Sequence, residues 1–191
     1  LALAVLVGAG AGLGAVAFRW LVDTMTLLFS GQDDYADAGH AAHPWLPWLG
    51  GGFVVLTPVV AGLIYGPLVH RFAREARGHG VPEGMNAVAN NGGRIKPQVA
   101  GVKALASALT IGGGGSVGRE GPTVQLGAAI MVQVHRLFRV PISAGVYIAG
   151  GAAGVAAAFN TPLAGIAFAI EELAVAYEQR VAVLVMGAVM I

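Results

Sequence analysis

Residues 45–69 and 140–170 contain no Lys, Arg, Asp or Glu, and these uncharged runs constrain the chain more than any motif does. As a helix, about 20 apolar residues cross the roughly 30 Å hydrocarbon core of a bilayer. Residues 1–29, broken only by Arg19 and Asp23, are long enough as well. Charged residues make up only 11% of the 191 residues against 56% hydrophobic, about half the charged share of a soluble domain. The expected class is an all-α, polytopic membrane protein embedded in a lipid bilayer. The net charge of +1 and the lack of a Lys/Arg block argue against nucleic acid as a partner. With no cysteine, thiol chemistry and thiolate metal sites are excluded. No metal, cofactor or enzymatic activity is expected.

Thirty glycines are about double the usual share of roughly 7%. They lie among apolar residues, where they mean close helix packing or broken helices. The chain begins at Leu1 and stops at Ile191, each inside an apolar run, so it reads as a piece of a longer protein. Residues 1–18 resemble the core of a signal peptide, but no basic region precedes them and "FRWLVD" is not a cleavage site.

Along the chain, 30–44 is a polar, acidic loop and 45–69 a second span. Residues 70–80 are basic. A short helix is expected over 81–91, with Pro82 in its first turn and Gly92-Gly93 at its end. Residues 97–111 form an apolar helix whose only charge is Lys103, too short to cross alone. After a glycine-rich break, 122–138 is helical again, with Pro122 at its start. "FNTP", 159–162, divides the following apolar run into helices over 141–157 and 162–177. Basic groups near 71–77, 94–96, 136–139 and 180 belong in the cytoplasm, and the acidic loop outside. One path satisfies this: two crossings, an inner helix, then 97–111 rising to the break and 122–138 returning, followed by a second rise and descent. It places "GSVGREGP", 115–122, at membrane depth. Irregular backbone survives there only where protein buries it or a watery cavity solvates it.

"VGAGAGLGAV", 7–16, imitates a dinucleotide fingerprint but lacks the strands that would complete one. It reads as a small-xxx-small packing face, Gly8/Gly12 and Gly10/Gly14. "GGGGSVGREGP", 112–122, lacks the Lys-Ser/Thr of a phosphate loop. A turn that only brings helices together explains its glycines but not Arg119-Glu120, and ionisable residues at membrane depth point to function. "GHGVP", 78–82, and "GREGP", 118–122, share a Gly-x-x-x-Pro pattern, each at a helix start. Helix N-termini present unpaired N–H groups and the positive end of the macrodipole, which suits an anion. Glu120 then reads as a tethered anion that leaves when protonated or displaced, a candidate gate and proton acceptor. Arg119 is expected to hold this frame through hydrogen bonds. In "IEEL", 170–173, successive helical residues point about 100° apart, so Glu171 and Glu172 face different surroundings; two interface carboxylates are an equal reading. His40, His43, His70 and His135 read as interfacial residues, and Trp20, Trp45 and Trp48 as an outer aromatic belt.

"GSVGREGP", with "GHGVP" before it and "FNTPLAGIAFAIEEL" after it, resembles the CLC family of chloride channels and proton-coupled chloride transporters. The resemblance covers essentially the whole chain and implies that 1–191 are the first half of an inverted repeat with broken and re-entrant helices. It also implies a homodimer in the plasma (cell inner) membrane that moves anions and protons. By position, Glu120 matches the gating glutamate and Glu172 the inner proton-transfer glutamate, with Glu171 its neighbour. Gly118, Arg119 and Gly121 match the frame of the gate. His79, Gly80 and Val81 fall in the filter segment, which usually reads Gly-Ser-Gly-Ile-Pro. The resemblance therefore implies anion/proton exchange. The alternatives are a passive voltage- or proton-gated chloride channel and a truncated, non-transporting membrane protein. His79 stands where the family usually has serine, which bears on anion preference; imidazole titrates near neutral pH. The second half of the family's pore has no counterpart in 1–191.

Overall fold

The computed structural model describes residues 2–37, 43–78, 80, 82, 86, 90, 96–141, 144–173 and 185–190. Of the helix expected over 81–91, only 82, 86 and 90 are described, all of them helical. His40, His79, Val81 and residues 174–177 lie outside the described set.

The described residues form helices and turns, with no strand among them. Helix α1 runs Ala2–Ser30 and α2 Phe53–Phe72; both are long and apolar enough to cross a membrane. The second span, Pro47–Phe72, agrees with the expected 45–69 to within three residues, but it is not one regular helix. A 3-10 segment, Pro47–Gly52, precedes α2, because three successive glycines after Pro47 favour other geometry than an α-helix. Helix α3 is Pro97–Gly112. Helix α4 is Glu120–Leu137, starting two residues before the expected 122. Pro122 is its third residue, and proline is harmless anywhere in a first turn, where N–H groups lack partners anyway. Helix α5 is Ala144–Phe159. Helix α6 is only Pro162–Phe168, and a π-helical turn, Ala169–Leu173, continues it where one regular helix was expected. Residues 185–189 form a last helical turn.

Three helices end in the same way. A residue with positive φ lets the next N–H reach back five residues. After α3 it is Gly114 (φ 87°), with Gly115 N–H to Thr110 O at 2.8 Å; after α4, Arg139 (φ 55°), with Val140 N–H to His135 O at 2.9 Å; after α5, Asn160 (φ 53°), with Thr161 N–H to Ala156 O at 3.1 Å. The "FNTP" break is thus an Asn-capped helix end followed by a proline-started helix.

Helices α4 and α5 share the most extensive contact, and glycines line it. A Cβ on Gly150 would stand 2.7 Å from Gly127 O, and one on Gly127 2.9 Å from Gly154 Cα. Of the small-residue face expected on α1, Gly10 and Gly14 close on the Ile130 side chain, whereas Gly12 meets nothing within 4 Å. The main core joins α1, α4, α5 and residues 185–189 through Val7, Met131, Tyr147 and Val189. Leu13, Val16, Val55, Val59 and Leu63 are exposed on α1 and α2, as lipid-facing residues are. Two histidines depart from expectation. His43 is buried edge-on against Phe53, its Nδ1 accepting the Trp45 N–H, and buried His135 has Nδ1 3.1 Å from Met131 O. Position near a span's end does not reveal which face of the helix a residue occupies.

The glycine break is wedged between elements. Cβ atoms on Gly112 and Gly113 would strike Met25 and Thr26 of α1 and Ala61 of α2. Gly114 lies under the Tyr35 ring. Pro58 has no N–H, so the carbonyl four residues back, Val54 O, loses its helical donor. Tyr35 OH lies 3.3 Å from that oxygen and 2.5 Å from Thr57 Oγ1. The outer loop thus latches onto α2 and covers the break.

Candidate functional site

Four segments enclose a cavity of about 680 Å³: α2, residues 76–78, α3, and the stretch from Ser116 to the first turn of α4. Helix α4 opens on it with Glu120, Gly121 and Pro122. No side chain caps that helix start. Its first internal bond is Thr123 N–H to Arg119 O, 3.2 Å, so the N–H groups before Thr123 have no partner within the helix. The Glu120 carboxylate folds back toward the chain that precedes it. One of its oxygens lies where a Cβ on Gly118 would be, so only glycine at 118 leaves room for this position.

The sequence marked Lys103 as a lone charge without giving it a role. It is buried on α3, lines the cavity, and donates from Nζ to Ala76 O at 3.1 Å and to Gly78 O. A buried ammonium is costly unless hydrogen-bonded, and these carbonyls supply the bonds. Arg77 is exposed on the same wall. Gly80 is buried with φ 99° and packs on α4: a Cβ there would stand 2.9 Å from Gly121 O. Gln125, fully buried one turn further along α4, donates from Nε2 to Gly80 O at 3.4 Å. Sequence reasoning missed Gln125, one of two glutamines on α4, with Gln133, and nothing local sets it apart from the other.

The structure therefore brings Gly80, Gly118, Glu120 and Gly121 together around one helix start. His79 and Val81 lie outside the described residues. Arg119 is exposed, and among the described residues its side chain makes no hydrogen bond or ion pair, contrary to the expected frame-holding role. Its backbone carbonyl does that work. Glu171 and Glu172 are both exposed, on the π-helical turn, and neither lines the cavity. Their exposure agrees with the reading of two interface carboxylates.

A cation, an uncapped helix start and a carboxylate on one cavity wall can hold an anion and let an acid compete with it. Residues 61–191 match the family model described as voltage gated chloride channel. The chain belongs to that family. Among its relatives are two proteins named H(+)/Cl(-) exchange transporter ClcA. The one from Cronobacter sakazakii is 39% identical over 180 residues, covering 91% of this chain and 36% of that protein. The one from Vibrio vulnificus is 37% identical over 182 residues, covering 90% and 36%. A crystal structure of a eukaryotic CLC transporter superposes with a TM-score of 0.75 at 23% identity, over 99% of this chain and 36% of that one. The chain thus spans about a third of the length of the relatives it matches. The all-helical membrane fold is that of the chloride-channel family.

Proposed function

We propose that residues 1–191 form the first half of a CLC-type transport domain, and that the complete protein exchanges chloride or a related anion for protons. The arrangement at the start of α4 carries this reading: Glu120 and N–H groups with no partner among the described residues stand at a cavity that Lys103 also lines. An anion in that cavity is attracted by the ammonium and by the helix dipole. Glu120 competes for the same place and vacates it on protonation. Glu172 passes protons from the cytoplasmic side. It does not line the cavity, so water bridges the two carboxylates. The named activity of the ClcA relatives supports exchange.

The complete protein acts as a homodimer in the cell inner membrane, with no cofactor beyond the transported anion. His79 adds a pH dependence to anion flux, since a neutral imidazole offers one donor and a charged one two. A passive channel is the second reading, favoured by the exposure of Glu172 away from the cavity.

Reconstitution tests the proposal. The complete gene product in liposomes, given a chloride gradient, drives protons uphill if it exchanges; anion flux without proton movement means a channel. Glu172→Ala abolishes coupling and leaves anion flux. Coupling that survives removes Glu172 from the mechanism. Matching flux-against-pH profiles for the parent and His79→Ser remove the role given to His79.

A further inference from the structure

Two glycines have positive φ here: Gly78 (86°) lines the cavity, and Gly80 (99°) packs against Gly121, which lines it too. Without a Cβ, such backbone turns easily. Each peptide plane moves as a unit, so its carbonyl oxygen and the following N–H swing together. A carbonyl turned into an anion's path repels it. Two buried side chains help to hold these planes. Lys103 takes the carbonyls of Ala76 and Gly78. Gln125 takes that of Gly80 from a position that does not line the cavity. Only the NH2 end of the amide can meet a carbonyl, which fixes its orientation. The other end, Oε1, is then buried with no partner among the described residues. An apolar side chain of the same size would avoid that unsatisfied oxygen, so the amide's presence points to its N–H.

We propose that Gln125 is a specificity-determining positioning residue: it holds the Gly80 carbonyl toward the α4 interior and away from the anion beside Gly121. The inference rests on the transport reading above and names what sets the affinity of that site. Losing this donor loosens the hold on the carbonyl and weakens the bias that keeps it turned from the anion. A compact anion feels that dipole more than a larger one whose charge is spread, because the interaction falls with distance.

The test uses the complete gene product in liposomes, with chloride and nitrate as probes. Gln125→Met keeps the volume and removes the donor. The expected result is a rise of about fivefold in half-saturating chloride, the scale of one lost buried hydrogen bond. Preference for chloride over nitrate falls, while maximal flux and protons moved per anion stay at the parent's values. Gln125→Asn, which retains a shorter donor, gives an intermediate shift and serves if the Met variant does not fold. Unchanged half-saturation and preference in a variant that assembles like the parent overturn the proposal. So does a parallel fall in maximal flux and thermal stability without a change in half-saturation. A parent with no anion flux overturns the transport reading itself; a transporting parent matched by Gln125→Met overturns this inference alone.

Discussion

Replacing Gly150 by Ala tests the claim that α4, which carries Glu120 at its first turn, is held in place by backbone contact with α5. The added Cβ would stand 2.6 Å from Met131 Cβ, 2.7 Å from Gly127 O and 2.8 Å from Ala128 Cα. Ordinary contact begins at 3.4 Å. None of the three atoms is the far end of a flexible side chain, so rotamer changes bring no relief. The helix axes must part by roughly 0.6–0.8 Å, and a gap of that size forfeits about a quarter to a half of each dispersion contact it opens. Helix association in lipid depends on such packing, since no hydrophobic drive replaces it. Overpacking of this kind costs about 1–3 kcal/mol. Alanine returns up to about 1 kcal/mol through helix propensity. The net expectation is a loss of about 1–2 kcal/mol. The assay is denaturant unfolding of the complete gene product in detergent micelles, followed by tryptophan fluorescence. Gly101→Ala is the control, because a Cβ at that position on α3 meets nothing within 4 Å; it leaves stability equal or slightly raised. Gly150→Ala as stable as the parent, or Gly101→Ala equally damaging, refutes the reasoning.

Gly118→Ala displaces the Glu120 carboxylate, whose oxygen holds the space a Cβ needs; the expected outcome is anion flux less dependent on external pH, measured in liposomes. Lys103→Met leaves the carbonyls of Ala76 and Gly78 without their donor, costing about 1–3 kcal/mol. It also raises half-saturating chloride, which flux titration reads alongside unfolding. Tyr35→Phe removes the bonds to Thr57 Oγ1 and Val54 O but keeps the ring over Gly114. It lowers stability by about 0.5–1.5 kcal/mol, whereas Tyr35→Ala also uncovers the break; equal losses from the two would show that the ring contributes nothing.

Hydropathy and the Pro/Gly punctuation made the helices legible, and Asn160-Thr161-Pro162 marked a break that the structure keeps. The start of α4 was misread because proline fits the third helical position as well as the first. The 3-10 entry into α2 and the π-helical turn after Phe168 leave no period long enough to detect. The surroundings of Glu120 were partly legible: the motifs named Gly118, Glu120, Gly121 and Gly80, and their approach follows from two glycine backbones meeting. What held Gly80 was not legible. Lys103 and Gln125 reach carbonyls 25 to 45 residues away in sequence, and no local pattern encodes a contact of that separation. Burial of His43, in the loop before α2, and of His135 on α4 was missed for a related reason, since packing against other segments decides it.

The break between α3 and α4 divides into an anchored part and a free one. Gly112, Gly113, Gly114 and Gly115 each meet a different obstacle: α1, α2, the Tyr35 ring and Thr110. Ser116 and Val117 are exposed and carry none of that load. A chain built this way separates where Glu120 is mounted from what lies beside it. Variation at 116 and 117 can alter the cavity lining near Glu120 without loosening the mount, whereas a side chain at any of the four glycines shifts the mount itself. Adjustable and immovable positions thus lie side by side in one short loop.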